Sequence, residues 1–241
     1  MKSRRDFLKV SGLFVTGFIC GSCNISSNSL IKNKKIDEPP NIMLITADDL
    51  GIDVGCYGDK QANTPNIDKI ANNGTRFETA WITQASCSPS RSSIHTGLYP
   101  HQNGLIGLSH RGYSFNKKYP TISSILKKEG YSTGVIGKFH VEPKGTCLWD
   151  LEYTNLQVCN RERNVIKMND VADSFINKSD SPFFLMVNYI DPHRPFYDKR
   201  HGLPQKPLTA SEVEPIDFLK LNSPSIREET AGYYNCISRL D

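Results

Sequence analysis

An α/β fold, with a mainly parallel sheet flanked by helices, is what this sequence predicts, on three observations. Short apolar runs at 42–45, 131–136 and 183–189 alternate with helical patterns at 66–72, 121–129 and 165–176. Strand–helix alternation of this kind carries successive strands in the same direction and covers the sheet with helices. Polar clusters then follow the apolar runs: Asp48-Asp49, Lys138-Phe139-His140 and Asp191-Pro192-His193. In open α/β sheets ligands bind beyond the carboxyl ends of strands, so these clusters are expected to converge on one site.

Taken in order, 42–45 reads as a buried strand closed by Thr46-Ala47-Asp48-Asp49. Residues 66–72 suit a short helix ended by Gly74, and 76–81 a further strand. The stretch 89–96 suits a helix with Pro89 in its first turn and Gly97 at its end. A helix over 121–129 is stopped by Gly130, and a strand over 131–136 follows. A helix over 165–176, a strand over 183–189 and a helical pattern over 225–240 complete the series. No internal repeat interrupts it.

The chain opens with a basic stretch, MKSRRDFLK, followed by an apolar run over 10–20 and the small residues Gly21 and Ser22. That pattern is expected of an export signal occupying 1–23, and the run is too short for a membrane span. Ser3-Arg4-Arg5-Asp6-Phe7-Leu8-Lys9 resembles the twin-arginine signal. Cys23 resembles a lipoprotein cleavage site, so an exported periplasmic form and a lipid-anchored surface form both stay open. Residues 24–40, rich in Ser, Asn and Lys and ending in Pro39-Pro40, read as a linker, leaving 41–241 as the folded domain.

At 241 residues, 38% hydrophobic and 22% charged, the chain can build one substantial core. Its net charge of +4 is scattered apart from Lys32, Lys34 and Lys35, which argues against a nucleic-acid partner. Seven cysteines in an exported chain permit disulfides: Cys147 with Cys159 could close a short loop, and unpaired buried thiols are an equal alternative.

Asp48 and Asp49, at a strand end where the chain can turn, offer paired carboxylates to a hard cation, although an isolated Asp-Asp also suits a solvated turn. Cys87, just before a helix, meets free backbone N–H groups and the positive end of the helix dipole, a setting for a nucleophile or an anion, although a structural buried cysteine suits the place equally. Arg91 lies one turn further on and can present its planar fork to a tetrahedral anion. Lys138 and His140 share a side if the chain there stays extended. His193 adds a second imidazole.

Cys87-Ser88-Pro89-Ser90-Arg91 matches the Cys-X-Pro-X-Arg signature of the type I sulfatases, and Ser92 to Gly97 continues it. Asp48-Asp49, Thr64-Pro65-Asn66-Ile67-Asp68, Gly137-Lys138-Phe139-His140 and Asp191-Pro192-His193 are similar to blocks of that family, in family order, over 41–241. Within it the chain looks most like the N-sulfoglucosamine sulfohydrolases, or heparan N-sulfatases, through His101-Gln102-Asn103-Gly104, Val141 and Pro182-Phe183-Phe184-Leu185. It departs from them at Leu50, where Gly is common.

The resemblance implies an alkaline-phosphatase-like fold and hydrolysis of sulfate esters or sulfamates of a carbohydrate. It implies that a maturation enzyme oxidises Cys87 to formylglycine, whose hydrate attacks sulfur and later expels sulfate. Asp48, Asp49 and the group at Cys87 would bind Ca²⁺, or alternatively Mg²⁺, which polarises the sulfate. Arg91 and Lys138 would balance charge on the sulfuryl oxygens, His140 would steady the hydrate, and His193 would contact sulfate or protonate the leaving group. Family members continue beyond the point matching Asp241, so the chain is expected to be a truncated catalytic domain. Two carboxylates supply at most about four oxygens where Ca²⁺ takes about six to eight, so the fragment alone is expected to bind metal poorly and turn over little. A phosphodiesterase or phosphonate hydrolase of the same superfamily and a non-catalytic glycan-binding remnant are the alternatives.

Overall fold

The strand β4, Phe183–Pro192, is apolar on both faces because both are covered, and it organises the rest of the molecule. The structure, a computed structural model, describes residues 39–241. The export signal, Cys23 and nearly all of the linker lie outside the described residues. Around β4 lie β1 (Ile42–Asp48), β2 (Ser132–Gly137) and the short β3 (Leu151–Tyr153), in the order β1-β4-β2-β3. Every pairing is parallel, as the strand–helix alternation predicts.

Alternate residues of β4 enter two cores. Phe183, Leu185 and Val187 pack with Ile136 of β2 and with Met168 and Ala172 of the helix α5, Val165–Lys178. Phe184 and Met186 pack on the opposite face with Val135, Trp149, and Ile122 and Leu126 of α4, Ile122–Lys128. The period of two along β4 against helical spacing on α4 and α5 is what lets one strand serve both layers. A third cluster joins Val54 and Val213 to Ala231, Tyr234 and Ile237 of α6, Pro224–Leu240. The remaining helices are α1 (Pro65–Asn73), α2 (Cys87–Thr96) and the single turn α3 (Pro100–Asn103).

Local chemistry sets the helix ends. The Thr121 side chain accepts from the Ser124 amide while the Ser124 hydroxyl accepts from the Thr121 amide, starting α4. Asn164 accepts from Lys167 N at 3.1 Å to start α5. Gly97 closes α2 at φ 69°, its amide on Ser93 O.

One expectation is corrected and two open alternatives are resolved. Residues 76–81 form no strand: Phe77 is 68% and Trp81 90% exposed, and the segment does not pair with the outer edge of β1, which is free among the described residues. Cys147 and Cys159 are both free thiols. Cys159 packs with Ile136 and Met168, whereas Cys147 lies by Thr121 and Ser123, so the two belong to different neighbourhoods. Finally, β2 ends at Gly137 and the chain does not stay extended to His140, whose φ is 54°.

Gly137 is the hinge of that turn. Its φ is +92°, and a Cβ there would stand 2.1 Å from Asn188 O, the atom that accepts from Lys138 N. Gly137→Ala should therefore cost about 2 kcal/mol or more through positive-φ strain and the backbone clash, read as a lowered urea midpoint.

Candidate active site

Asp48 is the last residue of β1 and is only 5% exposed, a costly place for a carboxylate without partners. Its Oδ2 receives the Lys138 ammonium and its Oδ1 lies 3.5 Å from Arg91, while Arg91 also donates to Lys138 O at 2.9 Å. Arg91 and Lys138 are themselves 6% and 7% exposed. One carboxylate against two fixed cations leaves a net positive charge in a buried spot, a preformed field for an anion.

Cys87 is the first residue of α2, half-buried, with Ser86 in extended conformation before it. Asp48, Asp49, Cys87, Ser90 and Arg91 line one cleft of about 390 Å³, so residues far apart in sequence do converge at the strand ends. Asp49 leaves β1 with φ 66° and is exposed, its Oδ2 3.7 Å from His193 Nε2. His193 thus meets the cleft through Asp49. Lys138 and His140 line a neighbouring cavity of about 430 Å³ together with His110.

Asp191 does not belong to the ligand site, contrary to its expected place in a polar cluster there. It is 1% exposed, and its two oxygens accept from Arg163 Nη1 and Arg239 Nε, each at 2.7 Å. This Arg–Asp–Arg clamp ties β4 to α6 and to the loop before α5.

Several site residues escaped sequence reasoning. Asn103 donates to Ser92 Oγ at 2.9 Å and accepts from Leu105 N at 2.9 Å, fastening α2 to the following loop. Ser88 Oγ accepts from Ser109 N at 3.1 Å, and Ser109 Oγ donates to His140 O at 3.2 Å, so α2 is linked to the His140 turn. His110 meets His140 edge to edge, with ring centroids 5.2 Å apart, planes 6° from parallel and its Nδ1 3.0 Å from His140 Nε2. No sequence spacing announces these contacts, because each bridges separate loops.

His95, one turn beyond Arg91, is 2% exposed and packs against Phe139 and Trp149. Burial, aided by the Arg91 charge, lowers its pKa to about 4, so the ring stays neutral. An unfolded chain takes up a proton near pH 6.5 that the folded chain refuses until about pH 4. Stability is therefore full above pH 6.5 and lost as pH falls towards 4, by about 3 kcal/mol from this residue. Urea midpoints between pH 7 and 4 should fall more steeply in the wild type than in His95→Gln.

The sulfatase family model matches residues 40–241. The chain belongs to the sulfatase family. It is 34% identical over 226 residues to human N-sulphoglucosamine sulphohydrolase, covering 84% of this chain and 45% of the relative. It is 33% identical over 215 residues to an ulvan-active sulfatase of Formosa agariphila, covering 88% of this chain and 41% of the relative. The chain thus spans under half the length of either. Among solved structures it is similar to one in complex with its substrate D-glucosamine-2-N,6-O-disulfate, at TM-score 0.55 and 28% identity, covering 67% of this chain and 36% of that one. A phosphonate monoester hydrolase of Agrobacterium radiobacter shares the fold alone, at TM-score 0.59 and 16% identity over 84% of this chain and 57% of that one.

Family membership implies a divalent cation, and the described residues fit it in chemistry while falling short in number. Asp48 and Asp49 are oxygen donors of the kind a hard cation takes, beside the Cys87 position in one cleft. Yet among the described residues no three His, Cys, Asp or Glu gather at metal-binding distances. Asp48 is committed to Lys138 and Arg91 instead, so the expected Asp48–Asp49–Cys87 trio does not close into a ligand set.

Proposed function

We propose that this chain is part of an exported sulfatase that hydrolyses sulfate esters or sulfamates of a carbohydrate of N-sulfoglucosamine type. The observation that carries this reading is the shared cleft of Asp48, Asp49, Cys87 and Arg91, with Lys138 bound to Asp48. The sulfatase relatives and the neighbour holding a disulfated glucosamine support the substrate class.

In this reading a maturation enzyme converts Cys87 to formylglycine, whose hydrate at the helix start is the nucleophile. Arg91, braced on Lys138 O, and Lys138 itself hold the sulfuryl oxygens as their charge grows. His140, neutral because burial and then the Lys138 charge lower its pKa to about 4, accepts a hydrogen bond from the hydrate. His193, at the Asp49 rim, contacts the leaving side. Asp48 and Asp49 would hold Ca²⁺ or Mg²⁺ once Asp48 is released from Lys138, and the cation would polarise the sulfate.

The test is co-production with a formylglycine-generating enzyme, followed by mass spectrometry of the Cys87 peptide and assay with aryl sulfate and aryl phosphate esters. Conversion of Cys87 is expected, with turnover of the sulfate ester that exceeds that of the phosphate ester but stays low in this chain by itself. Turnover by protein holding only the unmodified thiol, or preference for the phosphate ester, would overturn the assignment. Saccharide binding without turnover by the converted protein would instead mark a glycan-binding remnant.

A further inference from the structure

His110 Nδ1 and His140 Nε2 are 3.0 Å apart, so one nitrogen carries the shared proton and the other accepts it. His140 Nδ1 is buried and has no hydrogen-bond partner in the protein. Whatever fixes the tautomer of His140 therefore decides whether that interior nitrogen is a donor or a lone pair. A neutral imidazole intrinsically favours its proton on Nε2, and exposed His110 keeps that nitrogen free for water, leaving its Nδ1 to accept. Burial and then the Lys138 charge keep His140 neutral as well, so its Nε2 supplies the shared proton and its Nδ1 is left as the lone pair.

From this pairing we infer that His110 is a positioning residue: it accepts the Nε2–H of His140 and holds His140 Nδ1 as an acceptor for a hydroxyl on the group at Cys87. The catalytic consequence rests on the sulfatase reading above; the tautomer does not. His110 meets His140 edge to edge, the ring planes 6° from parallel, and follows Ser109, whose hydroxyl donates to His140 O while its amide donates to Ser88 of the Cys87 helix. One side chain thus sets the proton on His140, and its neighbour sets the backbone beneath it.

The deciding measurement is two-bond ¹H–¹⁵N correlation on ¹⁵N-histidine-labelled full chain at pH 8, with Cys87 unconverted. The six histidines are few enough for His140 to be assigned with His140→Gln. Wild type should show His140 protonated on Nε2. His110→Phe, which keeps an aromatic ring but no acceptor, should let His140 relax to a mixture of tautomers, and His110→Asn, whose Oδ1 mimics Nδ1, should restore the wild-type pattern. In converted enzyme His110→Phe should lower kcat about tenfold with KM within about twofold, and His110→Asn should recover most of it. A wild-type His140 protonated on Nδ1, or one unchanged in His110→Phe, would overturn the inference. Failure of turnover alone would count against the sulfatase reading and leave the tautomer result standing.

Discussion

Asp191→Ala should lower the stability of the folded domain by about 3–5 kcal/mol, enough to leave much of the chain unfolded at ambient temperature. The carboxylate is the shared partner of two guanidinium groups that are 2% and 0% exposed at their side chains. Removing it leaves two buried cations facing one another, with only neutral acceptors such as Tyr197 O, 3.0 Å from Arg239 Nη1, to hold them. Asp191→Asn keeps the shape but cannot carry the charge, so it should recover only a minor part of the loss. Urea denaturation followed by far-UV circular dichroism checks both variants. A loss below about 1 kcal/mol in Asp191→Ala would show that solvent reaches the clamp.

The reason this role was not legible in the sequence is that its partners lie at Arg163 and Arg239, on either side of Asp191 and far from it along the chain. Asp191-Pro192-His193 at a strand end looks like a single ligand cluster. The pleat and the following turn separate its members, sending Asp191 inward and leaving His193 at the rim near Asp49. By contrast β4 was readable directly, since seven successive apolar or aromatic positions interrupted only by Asn188 demand cover on both faces.

Residues 76–81 show the opposite failure. Their composition suits a strand, but strand propensity counts only where side chains are packed and the backbone is paired, and this segment stays exposed without joining the outer edge of β1. β3 escaped notice because three residues are too few to show a period of two. At the site, Cys87, Asp48 and Arg91 were legible because a signature spacing on one helix and an acidic strand end are local patterns. His110 and Asn103 act across loops, where the sequence carries no periodicity to read.

Arg91→Ala in the converted enzyme should lower kcat by about 10²–10³-fold, and Arg91→Lys should recover only part of it. The guanidinium does two things that an ammonium cannot do together. One nitrogen is fixed on Lys138 O at 2.9 Å and another approaches Asp48 Oδ1 at 3.5 Å, so the plane is set before any anion arrives. Its position on α2, four residues after Cys87, places that charge one helical turn from the nucleophile. In Arg91→Lys the charge survives but the fork does not, and Asp48 is left to two flexible ammonium groups that compete for it. Without Arg91 the local balance falls from a net positive charge to a neutral Asp48–Lys138 pair, and an incoming sulfate loses the field that favours it. Steady-state kinetics with an aryl sulfate, alongside mass spectrometry confirming that Cys87 is still converted, separates lost catalysis from lost maturation. Equal kcat values for Arg91→Lys and wild type would show that charge alone suffices and that the fixed plane of the guanidinium contributes nothing.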